Sequence, residues 1–138
     1  MQQSLQKYAI FADMIKSKYT QRAPQSADVH LDFGDKVRAK KNLGQHFLTD
    51  LTVAMNIADT VDVCPGMPVL EVGPGMGVLT QYLLQKERPL KVVEIDEESV
   101  DYLRKNMPAL GDDNIIPDDF LKMHLDRIFG GEPFMLIG

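Results

Sequence analysis

The 138-residue sequence contains a single cysteine, Cys64, so no disulfide can form within the chain. One thiol fits a reducing compartment, and with no histidine nearby it reads as a buried or half-buried loop thiol rather than a nucleophile. No window approaches the ~20 apolar residues of a membrane-spanning helix, and the N-terminus lacks the apolar stretch of a secretory signal. These absences predict a cytoplasmic protein without membrane association.

Positive charge is also scarce, except at the N-terminal end. The formal net charge is -5, yet residues 1–41 carry a net +4 and residues 42–138 a net -9. A basic arm on an acidic body is typical of proteins that meet polyanions, and a solvated leader is the alternative that charge alone leaves open. The arm ends in a dense basic segment, with cations at Lys36, Arg38, Lys40 and Lys41.

The length and a hydrophobic content of 44% predict one domain with its own core. Residues 1–36 are expected to be an extension outside it, with an amphipathic helix at 3–20 and a linker at 21–35 that contains His30, read as a surface residue. The domain itself is expected to occupy residues 37–138.

From residue 49 onward, short apolar strands alternate with helical patterns. Helices are predicted at 49–63, 78–85, 97–107 and 120–129, and strands at 68–72, 90–95, 114–116 and 133–137. Asp50 and Thr49 compete as the N-cap of the first helix. Strands of about five residues alternating with helices indicate βαβ units and a parallel sheet, so the fold class is α/β.

The stretch LEVGPGMGVLT, residues 70–80, passes from a strand through three glycines into a helix. In an open α/β sheet such a turn lies at the carboxyl edge of the strands, where ligands bind. Its spacing is G-x-G-x-G, which differs from the dinucleotide G-x-G-x-x-G, and it lacks the Lys-Ser/Thr of a P-loop. Acids flank it, with Glu71 before the turn and Glu94 and Asp96 after the next strand.

These features predict S-adenosylmethionine as the cofactor. A carboxylate at the end of the second strand can accept both hydroxyls of a ribose, and a helix N-terminus without a pyrophosphate cradle suits an amino-acid carboxylate. A nicotinamide cofactor and a purely structural turn remain alternatives. After the third strand, Asp118 or Asp119 can accept from an adenine amine or cap the next helix. His124 in that helix reads as a surface residue, and no pattern predicts a metal site.

Four motifs in order resemble those of the ribosomal RNA adenine N6-dimethyltransferases. They are KNLGQHFL at 41–48, EVGPGMG at 71–77, VEID at 93–96 and DFL at 119–121. The resemblance runs from about Val37 to Gly138 and is greatest to the bacterial small-subunit branch, since the erythromycin-resistance methylases usually carry Ser-Gln-Asn-Phe-Leu. It implies a Rossmann-like S-adenosylmethionine-dependent methyltransferase fold, of which these residues would supply the first four strands of a mainly parallel sheet.

The resemblance also implies a cofactor site made of His46, Leu48, Gly73, Gly75, Gly77, Glu94 and Asp119. Gly73 would approach the methionine portion, Glu94 would hold the ribose hydroxyls and Asp119 the adenine amine. The family usually has Asn where this chain has His46. A hydrophobic staple ahead of the next helix is the alternative role for Phe47 and Leu48. Beside such a site, the basic residues Lys36, Arg38, Lys40 and Lys41 are predicted to contact RNA phosphates.

The implied reaction is dimethylation of N6 on two adjacent adenines near the 3′ end of small-subunit rRNA, on the immature small ribosomal subunit. In the family, the fourth strand leads into an Asn-Leu/Phe-Pro-Tyr motif that grips the target adenine, and a helical domain follows; the sequence ends at Gly138, before both. We therefore expect no catalytic residue here, cofactor binding without activity by this chain alone, and self-association through the open sheet edge. A non-catalytic S-adenosylmethionine- or RNA-binding module and a 23S rRNA adenine methylase are the alternatives.

Overall fold

The structure, a computed structural model, describes residue 40 and residues 47–138. The predicted N-terminal helix and linker lie outside the described residues, as do His30, Lys36, Arg38, Lys41 and His46. The strands are β1 (Val69–Val72), β2 (Leu90–Val93), β3 (Ile115–Ile116) and β4 (Met135–Ile137). The α-helices are α1 (Leu51–Asp59), α2 (Thr80–Leu84) and α3 (Glu97–Asn106).

The four strands form one parallel sheet in the order β3-β2-β1-β4, which confirms the predicted fold class. The chain moves from β1 through β2 to β3 in one direction and then returns to place β4 on the other side of β1. The strand order therefore reverses at β1. In open α/β sheets, ligands bind beyond the carboxyl ends of the strands at this point of reversal.

The sheet is built from apolar strands whose side chains are buried on both faces, as expected for a parallel sheet covered by helices. Val69, Leu70 and Val92 are fully buried in its centre. The helices add apolar faces at helical spacing: Ala54 and Ala58 from α1, and Val100 and Leu103 from α3, are buried. None of the helices among the described residues combines the length and apolar character needed to span a bilayer.

The first helix begins where the sequence predicts and ends earlier. Asp50 is the N-cap, because its carboxylate accepts from the backbone N–H of Thr52 at 2.9 Å and of Val53 at 3.1 Å. The predicted helix at 49–63 is α-helical only to Asp59 and continues as a 3₁₀ turn. Cys64 follows this turn and is half-buried, as predicted.

The predicted helix at 120–129 is wrong. Two 3₁₀ turns, Phe120–Lys122 and Leu125–Arg127, replace it, with extended backbone between them. Neither turn contains a buried residue. Helices in proteins owe most of their stability to packing of an apolar face, so a segment that buries no such face has little reason to remain helical.

At the opposite edge of the sheet from the glycine turn, Arg88 connects three segments of chain. Its Nη1 donates to the carbonyl oxygens of Val61 and Cys64, each at 2.9 Å, and of Met67 at 3.3 Å. The side chain is only 5% exposed. Arg88 therefore supplies hydrogen-bond donors to carbonyls of the loop between α1 and β1, where no regular element does so.

Candidate cofactor site

The turn after β1 has the backbone conformation that only glycine adopts readily. Gly73, Gly75 and Gly77 have φ values of 68°, 56° and 78°, all in the left-handed region. The N–H of Gly73 donates to the Val93 carbonyl at 2.9 Å, which ties the turn to the end of β2. A Cβ built on Gly73 would meet nothing within 4 Å, so this part of the turn borders open space. A ligand can therefore approach the backbone closely at Gly73.

The other two glycines are packed from the protein side. A Cβ on Gly75 would lie 3.0 Å from two ring carbons of Phe47, and a Cβ on Gly77 would overlap the end of the Met107 side chain. Phe47 therefore contacts the turn directly, while Leu48 is half-buried beside it in the chain. Gly75 and Gly77 shape the turn by letting neighbouring side chains come close, which leaves Gly73 as the open face.

Glu94, at the end of β2, is buried with 5% exposure, and its carboxylate is held by backbone donors. Oε2 accepts from the Gly75 N–H at 3.1 Å, and Oε1 accepts from the Asp96 N–H at 3.0 Å. An ionised carboxylate has about four acceptor sites, so each oxygen keeps capacity for one more donor. The carboxylate is thus fixed against the glycine turn in a state able to accept two hydroxyl groups.

Asp96 is a second buried acid at this edge, with 2% exposure. Its Oδ2 accepts from the Ser99 N–H at 3.2 Å and hydroxyl at 2.9 Å, which caps α3. Its Oδ1 accepts from the Lys40 ammonium at 2.5 Å, and Lys40 also lies 3.6 Å from Glu98. The hydrogen bond to Asp96 raises the pKa of Lys40. Sequence reasoning gave Asp96 no separate role and gave Lys40 only an RNA contact, because nothing local pairs residues 56 positions apart.

Glu71 lies beneath the turn and is almost completely buried, at 2% exposure. Its Oε2 accepts from the Thr80 hydroxyl, at the start of α2, over 2.7 Å. Burial raises the pKa of Glu71 to about 7; the Thr80 hydrogen bond opposes this and the charge of Glu94 adds to it. Sequence reasoning noted this acid without giving it a role, although an acid inside the apolar strand VLEV is itself a signal.

Asp119 follows β3 at the same edge of the sheet. One carboxylate oxygen accepts from the Leu121 N–H at 3.0 Å, and Lys122 lies 3.6 Å from the other. The N-cap role considered for this position is thus present, here on a 3₁₀ turn. Ile95, between the two buried acids of β2, is 53% exposed. Sequence reasoning missed this apolar surface at the carboxyl edge.

The structure brings Gly73, Gly75, Gly77 and Glu94 together at one carboxyl edge, with Phe47 against the turn. A parallel sheet of this strand order, with a glycine turn after β1 and a buried acid at the end of β2, defines part of a Rossmann-like methyltransferase fold. Residues 36–138 match the family described as "Ribosomal RNA adenine dimethylase", and the chain belongs to that family.

Curated relatives share the name "Ribosomal RNA small subunit methyltransferase A". The protein from Phocaeicola vulgatus is 68% identical over 102 residues, which is 74% of this chain and 36% of that protein. The protein from Bacteroides fragilis is 67% identical, over 74% of this chain and 37% of its own length. The protein from Flavobacterium johnsoniae is 52% identical, over 75% and 40% respectively. The chain thus spans less than half the length of these relatives.

Among solved structures, the crystal structure of the 23S rRNA methyltransferase ErmE is similar to this fold. The superposition has a TM-score of 0.53 at 35% sequence identity, and it covers 66% of this chain and 36% of that one. The similarity supports the methyltransferase fold from geometry, independently of the sequence family.

Proposed function

We propose that residues 37–138 form the S-adenosylmethionine-binding part of an enzyme that dimethylates N6 of two adjacent adenines near the 3′ end of small-subunit rRNA, with residues 1–36 as an extension. The observation that carries the proposal is the Glu94 carboxylate, held by the Gly75 N–H beside the open backbone of Gly73. An enzyme acting on immature small subunits would work in the cytoplasm.

The residues at this edge fit the cofactor. Glu94 would accept the two ribose hydroxyls, Gly73 would let the methionine portion lie against the backbone, and Asp119 would accept from the adenine amine. Ile95, exposed between the acids of β2, offers apolar surface to the adenine ring. Leu48 and His46 are proposed as further contacts, by family resemblance.

When bound, S-adenosylmethionine supplies a methyl group made electrophilic by its sulfonium. Transfer to an amine needs orientation and exclusion of water more than an acid-base pair. We accordingly assign positioning and binding roles to this chain and no catalytic residue. The Asn-Leu/Phe-Pro-Tyr motif that would grip the target base is not among the residues of this sequence, and methyl transfer by this chain alone would contradict the division of labour proposed here.

Replacement of Glu94 by Ala is the direct test of the ribose contact. We expect the affinity for S-adenosylhomocysteine to fall about a hundredfold, because two hydrogen bonds to a charged group are lost. Isothermal titration calorimetry measures the effect.

The matched control is Glu97→Ala, which removes an exposed acid from the first turn of α3 and should leave the affinity unchanged. Equal affinities for the parent and Glu94→Ala would contradict the ribose assignment. Binding of reduced nicotinamide cofactor in place of S-adenosylhomocysteine would contradict the proposed cofactor.

For the RNA partner, we propose phosphate contacts by Lys36, Arg38 and Lys41, with Lys40 shared between RNA and its acidic partners. Neutralising the first three with Gln should weaken binding to a small-subunit rRNA fragment and reduce the slope of log affinity against log salt by about two. A filter-binding series at several salt concentrations measures this slope. The charge-matched control removes Lys86, Arg104 and Lys105; an equal change in both triple variants would argue against a dedicated basic segment.

A 23S rRNA substrate is the second candidate, favoured by the similarity to ErmE. The small-subunit substrate is preferred because the curated relatives that carry the small-subunit name are 52% to 68% identical to this chain, whereas ErmE is 35% identical. Competition between small-subunit and 23S rRNA fragments for the chain separates the two.

A further inference from the structure

Lys40 is a cation of the basic segment, yet its ammonium lies against the folded domain. It donates to Asp96 Oδ1 at 2.5 Å and lies 3.6 Å from Glu98 Oε1. The lysine side chain is 35% exposed, while Asp96 is 2% exposed. A buried carboxylate is costly unless a positive group and hydrogen bonds compensate it. Lys40 supplies that charge at a position 56 residues away in sequence.

Asp96 in turn connects to the proposed ribose acid. Its backbone N–H donates to Glu94 Oε1 at 3.0 Å, and its side chain caps α3 through Ser99. The other oxygen of Glu94 accepts from the Gly75 N–H at 3.1 Å. A continuous chain of polar contacts therefore runs from Lys40 through Asp96 and Glu94 to the glycine turn.

We infer that Lys40 is a positioning residue of the cofactor site, which acts through Asp96 to hold the Glu94 carboxylate in the orientation that accepts ribose hydroxyls. The inference rests on the proposed function and goes beyond it, because Lys40 itself touches neither the ribose nor the glycine turn in this chain of contacts. It also gives the basic segment a role at the cofactor site in addition to any contact with RNA phosphates.

The two ends of the KNLGQHFL motif support this role. Lys40, directly before the motif, contacts the acid after β2, and Phe47, near its end, packs against Gly75 in the turn after β1. The motif is therefore flanked by contacts to both strands that form the proposed site. Loss of the Lys40 contact would remove one of these two attachments.

The test compares S-adenosylhomocysteine with its 2′-deoxy analogue, using calorimetry on the full 138-residue chain. The parent should prefer S-adenosylhomocysteine by about tenfold, the effect of one hydrogen bond to a charged group. In Lys40→Met the preference should fall to near unity, and in Lys40→Arg it should be retained. A role confined to stability would lower the denaturation midpoint and leave the ratio of the two affinities unchanged.

Lys86→Met is the matched control. Lys86 also pairs with two acids, Asp59 at 2.6 Å and Asp62 at 2.8 Å, but it follows α2 at the opposite edge of the sheet. Its loss should leave the preference at its parental value. If Lys40→Met does not fold, Lys40→Gln carries the same test, because its amide can still donate to Asp96 without bringing charge.

An unchanged preference in Lys40→Met or Lys40→Gln, with the parent binding normally, would overturn this inference and leave the proposed function intact. Failure of the parent chain to bind S-adenosylhomocysteine would overturn the proposed function and the inference with it. A double variant with Asp96→Asn adds a second criterion: if Lys40 acts through Asp96, the losses in the two single variants should not add.

Discussion

Replacing Glu71 by Gln is expected to stabilise the folded chain by about 3 kcal/mol at pH 8 and to have little effect below pH 4. Burial raises the pKa of Glu71 from 4.5 to about 7 in the folded protein. As pH rises between these values, the unfolded chain releases this proton while the folded chain retains it. The stabilising contribution of the protonated carboxyl is therefore complete below pH 4.5 and is lost as pH rises through 7. Gln accepts the Thr80 hydrogen bond and cannot ionise.

Urea denaturation between pH 4 and pH 8.5 measures this difference, and the two proteins should diverge as pH increases. Thr80→Val provides the companion variant, because it removes the donor to Glu71 while keeping the shape of the side chain. We expect it to destabilise the fold most at high pH, where the buried carboxylate most needs a donor. Parallel stability curves for the parent and Glu71→Gln would contradict the raised pKa.

Replacing Arg88 by Met is expected to destabilise the chain by about 3 kcal/mol. The guanidinium is 5% exposed, and one nitrogen donates to three carbonyl oxygens of the loop before β1. Met fills a similar volume but leaves these carbonyls without their donor. The free energy of unfolding from urea titration at pH 7 gives the size of the effect.

Arg104→Met is the control for removal of an arginine as such. Arg104 is 44% exposed and lies 2.6 Å from Asp112 and 3.7 Å from Asp101. Surface ion pairs of this kind contribute about 0–1 kcal/mol, so the control should lose less than a third of what Arg88→Met loses. Equal losses would show that Arg88 also acts merely as a surface charge.

The sequence was sufficient for those parts of the fold that local pattern determines. The four strands are apolar runs bounded by Gly, Pro or acids, and Asp50 caps a helix whose buried alanines recur at helical spacing. The turn at 73–77 was also predictable, because few backbone conformations other than left-handed ones explain three glycines at alternate positions. The helix predicted at 120–129 failed where the apolar residues present do not form a buried face.

The part of the site that the sequence did not predict depends on contacts between distant residues. Glu94 was identified from its place after the second strand, whereas its hydrogen bond to Gly75 and the pairing of Lys40 with Asp96 require the folded arrangement. The raised pKa of Glu71 likewise follows from burial under α2, a property of packing. His46, Lys36, Arg38 and Lys41 lie outside the described residues, and their roles stay predictions.

The attachment of the glycine turn to β2 has a thermodynamic consequence. The Gly73 N–H donates to the Val93 carbonyl and the Gly75 N–H to the Glu94 carboxylate, so the turn takes its shape only when β1 and β2 are paired. The binding surface is therefore absent from the unfolded chain. A ligand of this site binds the folded state alone, and each tenfold increase of its concentration above the dissociation constant adds about 1.4 kcal/mol to folding. Cofactor supply and the survival of the folded chain become a single linked equilibrium.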